Sequence, residues 1–238
     1  DISIEPFEVP EFSGFWTEEL YRPNQIKFKK VDLNGVRYQV GTLYKVALFP
    51  ISGIEYVINP LAIKVQTQKK RTRRNRDPFF DPFFDSFFTE SETKILRSPE
   101  RKIDVKNFPE PRPGSFTGAV GSFKINTSID RDSTYVNEAI TFTVSVVGTG
   151  NLGLFTLPKI NFSDQIDQFP PKEDFEKNVF RDALSGTMSW EYILVPRISG
   201  KISIPPVKMT YFDPSIEKWK KISSGSTIIP VIKGKGRI

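Results

Sequence analysis

The chain has 238 residues and contains neither cysteine nor histidine. The absence of cysteine excludes disulfides and a cysteine nucleophile, and the absence of histidine excludes a Ser-His-Asp triad. Both absences together exclude a zinc site of the usual Cys and His ligands. An enzyme that works with carboxylates alone remains open from composition.

Long apolar runs are also missing, since none approaches the roughly 20 residues that a membrane helix needs. The first residues, "DISIEPFEVPEF", lack the charged-then-apolar layout of a signal peptide. We therefore expect either a mature soluble protein or a piece of a longer one.

The positive charge of the chain is local. The formal net charge is +6, and residues 69–76 alone carry six basic side chains, which leaves 34 − 6 = 28 basic residues against 28 acidic ones. The rest of the sequence is neutral overall, so the basicity indicates one segment and not a nucleic-acid surface across a domain.

What the sequence does contain is one strand pattern after another. Alternating or β-branched segments are separated by turn residues, and they include "VRYQVGTLYKVALF", "EYVINPLAIKVQTQ", "AITFTVSVV", "MSWEYILV", "KISIPPVKMTYF" and "STIIPVI". The only candidate for a short helix is "PPKEDFEKNVF". This pattern predicts an all-β fold of tandem immunoglobulin-like β-sandwich domains.

Two parts of the chain resemble each other. Pro10, Pro50, Ser52-Gly53 and Pro60 recur in the same order as Pro158, Pro196, Ser199-Gly200 and Pro206, with offsets of 146 to 148. Four ordered landmarks predict two copies of one domain. We predict a first sandwich at 1–108 that lacks its opening strands, a Pro-rich linker at 109–115, and a complete sandwich at 116–238.

The tract "DPFFDPFFDSFF", residues 77–88, directly follows the basic run. A nucleic-acid grip would interleave aromatic and basic residues, and a membrane wedge would bury the aspartates between the Phe pairs at a cost. We favour a long exposed loop at 69–92 that binds another protein. The predicted partner-binding residues are Arg73, Arg74, Arg76, Phe79, Phe80, Phe83, Phe84, Phe87 and Phe88.

Other candidate sites have simpler structural interpretations. Asp130 and Asp132 could bind calcium, but they lack the further oxygen ligands of a complete loop and fit a turn better. Asp213 is predicted to cap a β-turn with Pro214. We expect Trp190 and Trp219 in the core, and we interpret "VVGTGNLG" as a β-turn, since it lacks the spacing of a phosphate loop.

The second copy resembles the BatD (oxygen tolerance) family in "SFTGAVGSFKI", "VNEAITFTVSVVGTGNLGLFTLPKI", "WEYILVPRISGKISIPPVKMTYFDP" and "WKKISS". The first copy, with "FSGFW", "NGVRYQVGTLYKVALFP" and "INPLAIKV", is similar to the preceding domain of that family. The resemblance implies a bacterial envelope protein of immunoglobulin-like domains, with a signal peptide and a C-terminal membrane helix that this chain does not show.

The resemblance also implies a role. Family members are encoded beside MoxR-type ATPases and von Willebrand factor A domain proteins, and they are regarded as scaffolds without catalytic residues. We therefore expect a non-enzymatic interaction module on the periplasmic side of the inner membrane, linked to aerotolerance or stress systems. Its partners would be other envelope proteins, with no nucleic acid and no cofactor. The alternative is a carbohydrate-binding β-sandwich, which would need an aromatic platform or a pair of carboxylates across a cleft.

Overall fold

The structure is a computed structural model that describes residues 2–51, 55–68, 91–178 and 182–234. These residues form strands, turns and extended segments, and among them no helix is long and apolar enough to cross a membrane. The prediction of an all-β fold with immunoglobulin-like β-sandwich domains is confirmed.

The strands alternate with short turns along both halves of the described chain. The first half contains β1 Ile2–Ile4, β2 Phe15–Tyr21, β3 Phe28–Leu33, β4 Val36–Gly41, β5 Lys45–Pro50, β6 Glu55–Ile58, β7 Ala62–Gln68, β8 Ser91–Arg97 and β9 Arg101–Asp104. The second half contains β10 Phe116–Ile129, β11 Thr134–Tyr135, β12 Ile140–Gly150, β13 Ile166–Gln168, β14 Lys172–Lys177, β15 Ser185–Pro196, β16 Gly200–Ile204, β17 Lys208–Asp213, β18 Lys218–Ser223 and β19 Thr227–Ile232.

Contacts between Cα atoms divide the chain into two compact units. The first unit contains residues 1–16 and 50–107, and the second contains residues 17–49 and 108–238. The grouping of residues 17–49 with the second unit follows spatial proximity and not the order of the repeat. The domain boundaries drawn from the sequence at 1–108, 109–115 and 116–238 stay a prediction.

The core of the second unit lies between two sheets. The larger sheet has the order β13-β15-β12-β10-β17-β18, with β14 also paired to β15, and the smaller has the order β11-β19-β16. Alternate residues of β12 point into the core and are buried, namely Ile140, Phe142, Val144 and Val146. The period of two in the sequence thus becomes one apolar face, and each fully buried side chain of this size contributes roughly 1.5–3 kcal/mol.

The first unit has a smaller core. Its strands form the sheet β1-β7-β8 and the pair β6-β9, and within its described residues Tyr56 and Val65 are the buried hydrophobic side chains. The ring of Phe15 lies 4.4 Å from that of Tyr56. Leu96, which pairs with Ile63, is 51% exposed, whereas Ile222, which pairs with Met209 in the second unit, packs against the core.

The strand pairing shows the internal repeat. β6 pairs β9 and β7 pairs β8, while β16 pairs β19 and β17 pairs β18, all antiparallel. In an antiparallel pair, the two residue numbers of each partnered position have a constant sum, which defines the register. This sum is 159 for both early pairs (55 with 104 and 62 with 97) and 431 for both late pairs (200 with 231 and 208 with 223). The two copies therefore nest one hairpin within another in the same way.

Two segments differ from the sequence prediction. The helix candidate "PPKEDFEKNVF" contains β14, which pairs with β15 and packs Phe175 against the core. The helix prediction is wrong here because Glu173 and Phe175, two residues apart, lie on the same face of a strand. On that face the Glu173 carboxylate accepts a hydrogen bond from Trp190 Nε1 at 3.1 Å. Pro170 and Pro171 interrupt this edge between β13 and β14, which suits an edge strand.

The glycines of "VVGTGNLG" are also placed differently. Gly148 and Gly150 belong to the end of β12, and the turn begins only at Asn151, where the Leu154 amide donates to the Asn151 carbonyl at 3.0 Å. Gly121 lies opposite Gly150, and both have positive φ, at 148° and 147°. A Cβ on Gly121 would lie 2.2 Å from the Thr149 carbonyl oxygen, so a side chain is excluded there.

This glycine pair gives a test of the second unit. We expect Gly121→Ala to lower the free energy of unfolding by about 2 kcal/mol or more, because it combines a strained φ with a backbone clash. Gly225→Ala is the control, since a Cβ there meets nothing within 4 Å, and it should change stability by less than about 0.5 kcal/mol. Urea unfolding of both variants measures the difference, and equal midpoints would contradict this account.

The repeat gives a second test. Thr67 pairs with Glu92 where the other copy pairs Asp213 with Lys218, and the latter two residues are joined by only four residues, 214–217. Replacing residues 68–91 by Pro-Ser-Ile-Glu, together with Thr67→Asp, should therefore leave the number and the cooperativity of the unfolding transitions as they are in the parent chain. Calorimetry reports the outcome, and a broad or absent transition would show that the insertion is needed for folding.

Candidate interaction surface

The partner-binding residues predicted from the sequence lie outside the described residues. Arg73, Arg74 and Arg76 and the Phe pairs from Phe79 to Phe88 fall at positions 69–90, between β7 and β8. The flanking strands are antiparallel neighbours in register, so the tract joins two adjacent strands where the second copy has a four-residue turn. Its role in binding stays a prediction.

Asp213 forms a turn, as predicted. Its Oδ1 accepts hydrogen bonds from the Ser215 amide at 3.1 Å and from the Ser215 hydroxyl at 2.6 Å, and its Oδ2 lies 2.9 Å from Lys220 Nζ. The Ser215 hydroxyl and then Lys220 hold the pKa of this carboxyl below its ordinary value, and the same contact raises the pKa of Lys220. The carboxylate therefore stabilises the link between β17 and β18 in its charged form.

Asp130 also acts within a strand connection. Its Oδ1 accepts a hydrogen bond from the Thr141 amide at 3.0 Å, and its Oδ2 lies 3.3 Å from Arg131 Nη2. Asp132 is exposed. Among the residues that the structure describes, no group of three or more Asp, Glu, His or Cys side chains could hold a metal ion, and the geometry at Asp130 is that of a turn.

The two tryptophans have different environments. Trp190 lies in the core, as predicted, but Trp219 is only half-buried, so the core prediction is wrong for it. The Trp219 ring packs with Phe108, Phe116 and Phe212 at centroid distances of 4.9 to 5.6 Å, and its Nε1 donates to the Pro109 carbonyl at 3.2 Å. This cluster fixes the start of the Pro-rich segment on the outer face of β17 and β18.

The hairpin of β3 and β4 in the second unit carries exposed apolar side chains. Asn34 and Gly35 join the strands with φ of 50° and 79°, as a two-residue turn of type I′ requires. The register pairs Leu33 with Val36 and Val31 with Tyr38. Because side chains alternate, one face carries a continuous apolar row, which we name the hairpin stripe: Val31, Leu33, Val36, Tyr38 and Val40.

Most of the hairpin stripe is open to solvent. Leu33 is 53% exposed, Val36 52%, Tyr38 48% and Val40 39%, while Val31 is half-buried. A two-stranded hairpin by itself is only marginally stable in water. Apolar side chains gathered on one of its faces therefore need an explanation beyond the stability of the hairpin.

The second copy provides an internal comparison. The sum of partnered residue numbers is 69 in β3–β4 (28 with 41) and 363 in β14–β15 (172 with 191). The difference of 294 equals a shift of 147 residues in each strand, which is the repeat offset, so the two pairs have equivalent registers. Tyr38 and Val40 therefore correspond to Ser185 and Thr187, on the face of β15 that points away from the core. The same fold carries polar side chains at these positions, so the apolar stripe is not a requirement of the fold.

The hairpin that carries the stripe is rich in basic residues. Residues 26–45 contain five basic side chains and one acidic one, Asp32. The acidic side chain is already paired, since Arg37 Nε lies 3.3 Å from Asp32 Oδ1. The chain is neutral overall outside residues 69–76, but this hairpin is locally positive. The total charge of the sequence does not reveal this local excess, because acidic residues elsewhere balance it.

A cavity of about 360 Å³ lies at one end of the stripe, and we name it the lysine pocket: Tyr21, Lys27, Phe28, Lys29, Val40, Thr42 and Lys45. Val40 belongs to both the stripe and the pocket, and it pairs directly with Lys29. Lys45 forms an ion pair with Asp182, and this contact holds the pKa of the Asp182 carboxyl below its ordinary value. Within the described part of the chain, Lys27 and Lys29 make no ion pair.

Comparison with known proteins identifies part of the chain. Residues 127–231 match the model of the family described as BatD DUF11 like domain. No curated protein and no solved structure matches the chain at the threshold of significance. The matched region runs from the end of β10 to β19 and contains most of the core of the second unit. Residues 127–231 are therefore a BatD-type domain, and this match supports the assignment of the chain to the BatD family.

Proposed function

We propose that the chain is a non-enzymatic protein–protein interaction module that binds a partner through the hairpin stripe. The observation that carries this proposal is the exchange of polar for apolar residues on an outward face: Tyr38 and Val40 stand where the second copy has Ser185 and Thr187. A fold that tolerates polar residues at these positions gains nothing in its own core from tyrosine and valine there.

Burial of the stripe would supply energy for binding. Covering a large apolar side chain contributes roughly 1.5–3 kcal/mol, and the stripe presents four that are substantially exposed. Tyrosine, the residue type of Tyr38, is one of those enriched among the few side chains that account for most of the affinity at binding interfaces. The stripe thus supplies an apolar centre around which polar contacts of an interface can form.

Charge decides which kind of surface covers the stripe. Lys29 lies on the face of the stripe, where it pairs with Val40, so a second copy placed face to face would bring the Lys29 side chains of both chains into one interface, and like charges there are unfavourable. A partner with acidic residues around an apolar patch would instead complement this rim. We therefore propose a different protein with an acidic rim, and not a second copy, as the partner.

The family resemblance gives the setting of this proposal. A BatD-type domain at residues 127–231 is in keeping with a scaffold of the bacterial envelope on the periplasmic side of the inner membrane. On this proposal a von Willebrand factor A domain protein binds the module directly, and a MoxR-type ATPase belongs to the same system. The loop predicted at 69–92 would add a second contact.

The double variant Tyr38→Ser with Val40→Thr tests the proposal, since it gives the hairpin the residues of the second copy. We expect the Kd for a purified von Willebrand factor A domain from the proposed system to rise at least tenfold, because about 1.4 kcal/mol of apolar burial is lost. Biolayer interferometry measures the change. Gln39→Ser, on the opposite face of the same strand, is the control and should leave the Kd within twofold.

Two outcomes would contradict the proposal. The first is an unchanged Kd for the double variant while its unfolding midpoint equals that of the parent chain. The second is a concentration-dependent dimer in sedimentation velocity that the double variant abolishes, which would show that a second copy covers the stripe.

A further inference from the structure

The lysine pocket adds a chemical requirement to the partner. Three lysines, Lys27, Lys29 and Lys45, line it together with Tyr21 and Phe28. Three ammonium groups around one cavity repel each other unless an anion lies among them. The pocket also opens beside Val40, at the end of the apolar stripe.

One lysine of the pocket is already paired with a carboxylate. The Asp182 side chain is paired with Lys45 although it is 90% exposed, and Lys45 itself is 41% exposed. This contact shows that one of the three lysines lining the pocket pairs with a carboxylate. The other two lysines form no ion pair with the residues the structure describes.

We infer that the lysine pocket binds a side-chain carboxylate of the segment that covers the hairpin stripe. The partner segment therefore carries Asp or Glu next to apolar residues on the same face. In an extended segment, residues two apart share a face and lie roughly 6–7 Å from each other. Apolar side chains at three such positions would cover the stripe, and an acidic side chain at the next one would reach Lys29. This inference rests on the proposed function of the stripe.

The geometry favours a protein carboxylate over a phosphate. A phosphate site in a protein is commonly built from backbone amides at a helix N-terminus or a glycine-rich loop, together with Arg or Lys. The lysine pocket instead has flexible lysines on strands, an aromatic wall and an adjoining apolar surface. A single charge next to apolar groups, as on a glutamate in a strand, matches this combination.

The test uses the whole chain and two capped nonapeptides as probes. The acidic peptide is Val-Ser-Phe-Ser-Val-Ser-Glu-Ser-Glu, and the neutral peptide has Gln in place of both Glu. We expect the acidic peptide to bind about fivefold or more tightly than the neutral one at 50 mM salt, because two exposed ion pairs each contribute modestly. The preference should vanish near 0.5 M salt, where screening is strong. Titrations followed by ¹H–¹⁵N NMR give both affinities.

Variants locate the effect. Lys27→Gln with Lys29→Gln should reduce the preference for the acidic peptide to less than twofold. Lys201→Gln with Lys218→Gln, two exposed lysines that do not line the pocket, should keep it. The amide shifts caused by the acidic peptide should include residues 27–29 and 40–45.

The outcomes separate the pocket from the stripe. Equal binding of both peptides, or binding of neither, overturns the carboxylate inference, while the affinity of the Tyr38→Ser, Val40→Thr variant for the protein partner decides the stripe independently. A preference for the acidic peptide that survives Lys27→Gln with Lys29→Gln also overturns it. Binding of phosphatidylglycerol vesicles that requires these two lysines, without binding of the peptide, would assign the pocket to a lipid headgroup instead.

Discussion

The antiparallel ladder between β12 and β15 is the contact on which the rest of the second unit depends. Its register places Phe142 opposite Tyr192 and Val144 opposite Trp190, and these side chains all lie in the core. Directly opposed large side chains stabilise a sheet by packing across the strands, beyond the area that each one buries. β10 and β17 continue the sheet on one side of this ladder, and β13 and β14 cover its other edge.

This constraint acts on only one face of each strand. A period of two separates the residues that pack from the residues that face outward, so the outward positions can change without loss of the core. In β15 they are Ser185, Thr187 and Ser189, whereas the corresponding hairpin carries Tyr38 and Val40. The same geometry thus gives a polar surface in one copy and an apolar, positively charged surface in the other. We interpret this difference as specialisation of one copy for binding.

Local sequence patterns were sufficient where one strong signal had no competitor. The alternation of β12, the prolines that end β5 and β15, and the Asp213 turn each follow from the residues alone. The pairing of β7 with β8 around the long insertion also follows from the repeat. The resemblance of the second copy to the BatD family was also recognisable from its sequence, and the family match at residues 127–231 supports that interpretation.

The misassigned segments share a physical reason, which is that their structure depends on a neighbour. The charged β14 has little strand pattern of its own and becomes a strand because β15 offers an open edge. Gly148 and Gly150 are typical of a turn, but they lie in a strand because the opposite backbone leaves no room for a Cβ. Trp219 lies outside the core because its ring packs with Phe108 and Phe116. The hairpin stripe was missed because an alternating pattern looks the same whether its apolar face is covered by the core or exposed.

The central claim is that a partner covers the hairpin of β3 and β4. Hydrogen–deuterium exchange of the whole chain, measured with and without the purified von Willebrand factor A domain, tests this most directly. The account predicts slower exchange within residues 28–45 in the complex and no change within residues 185–196. Protection that leaves residues 28–45 unaffected while the complex forms would contradict it.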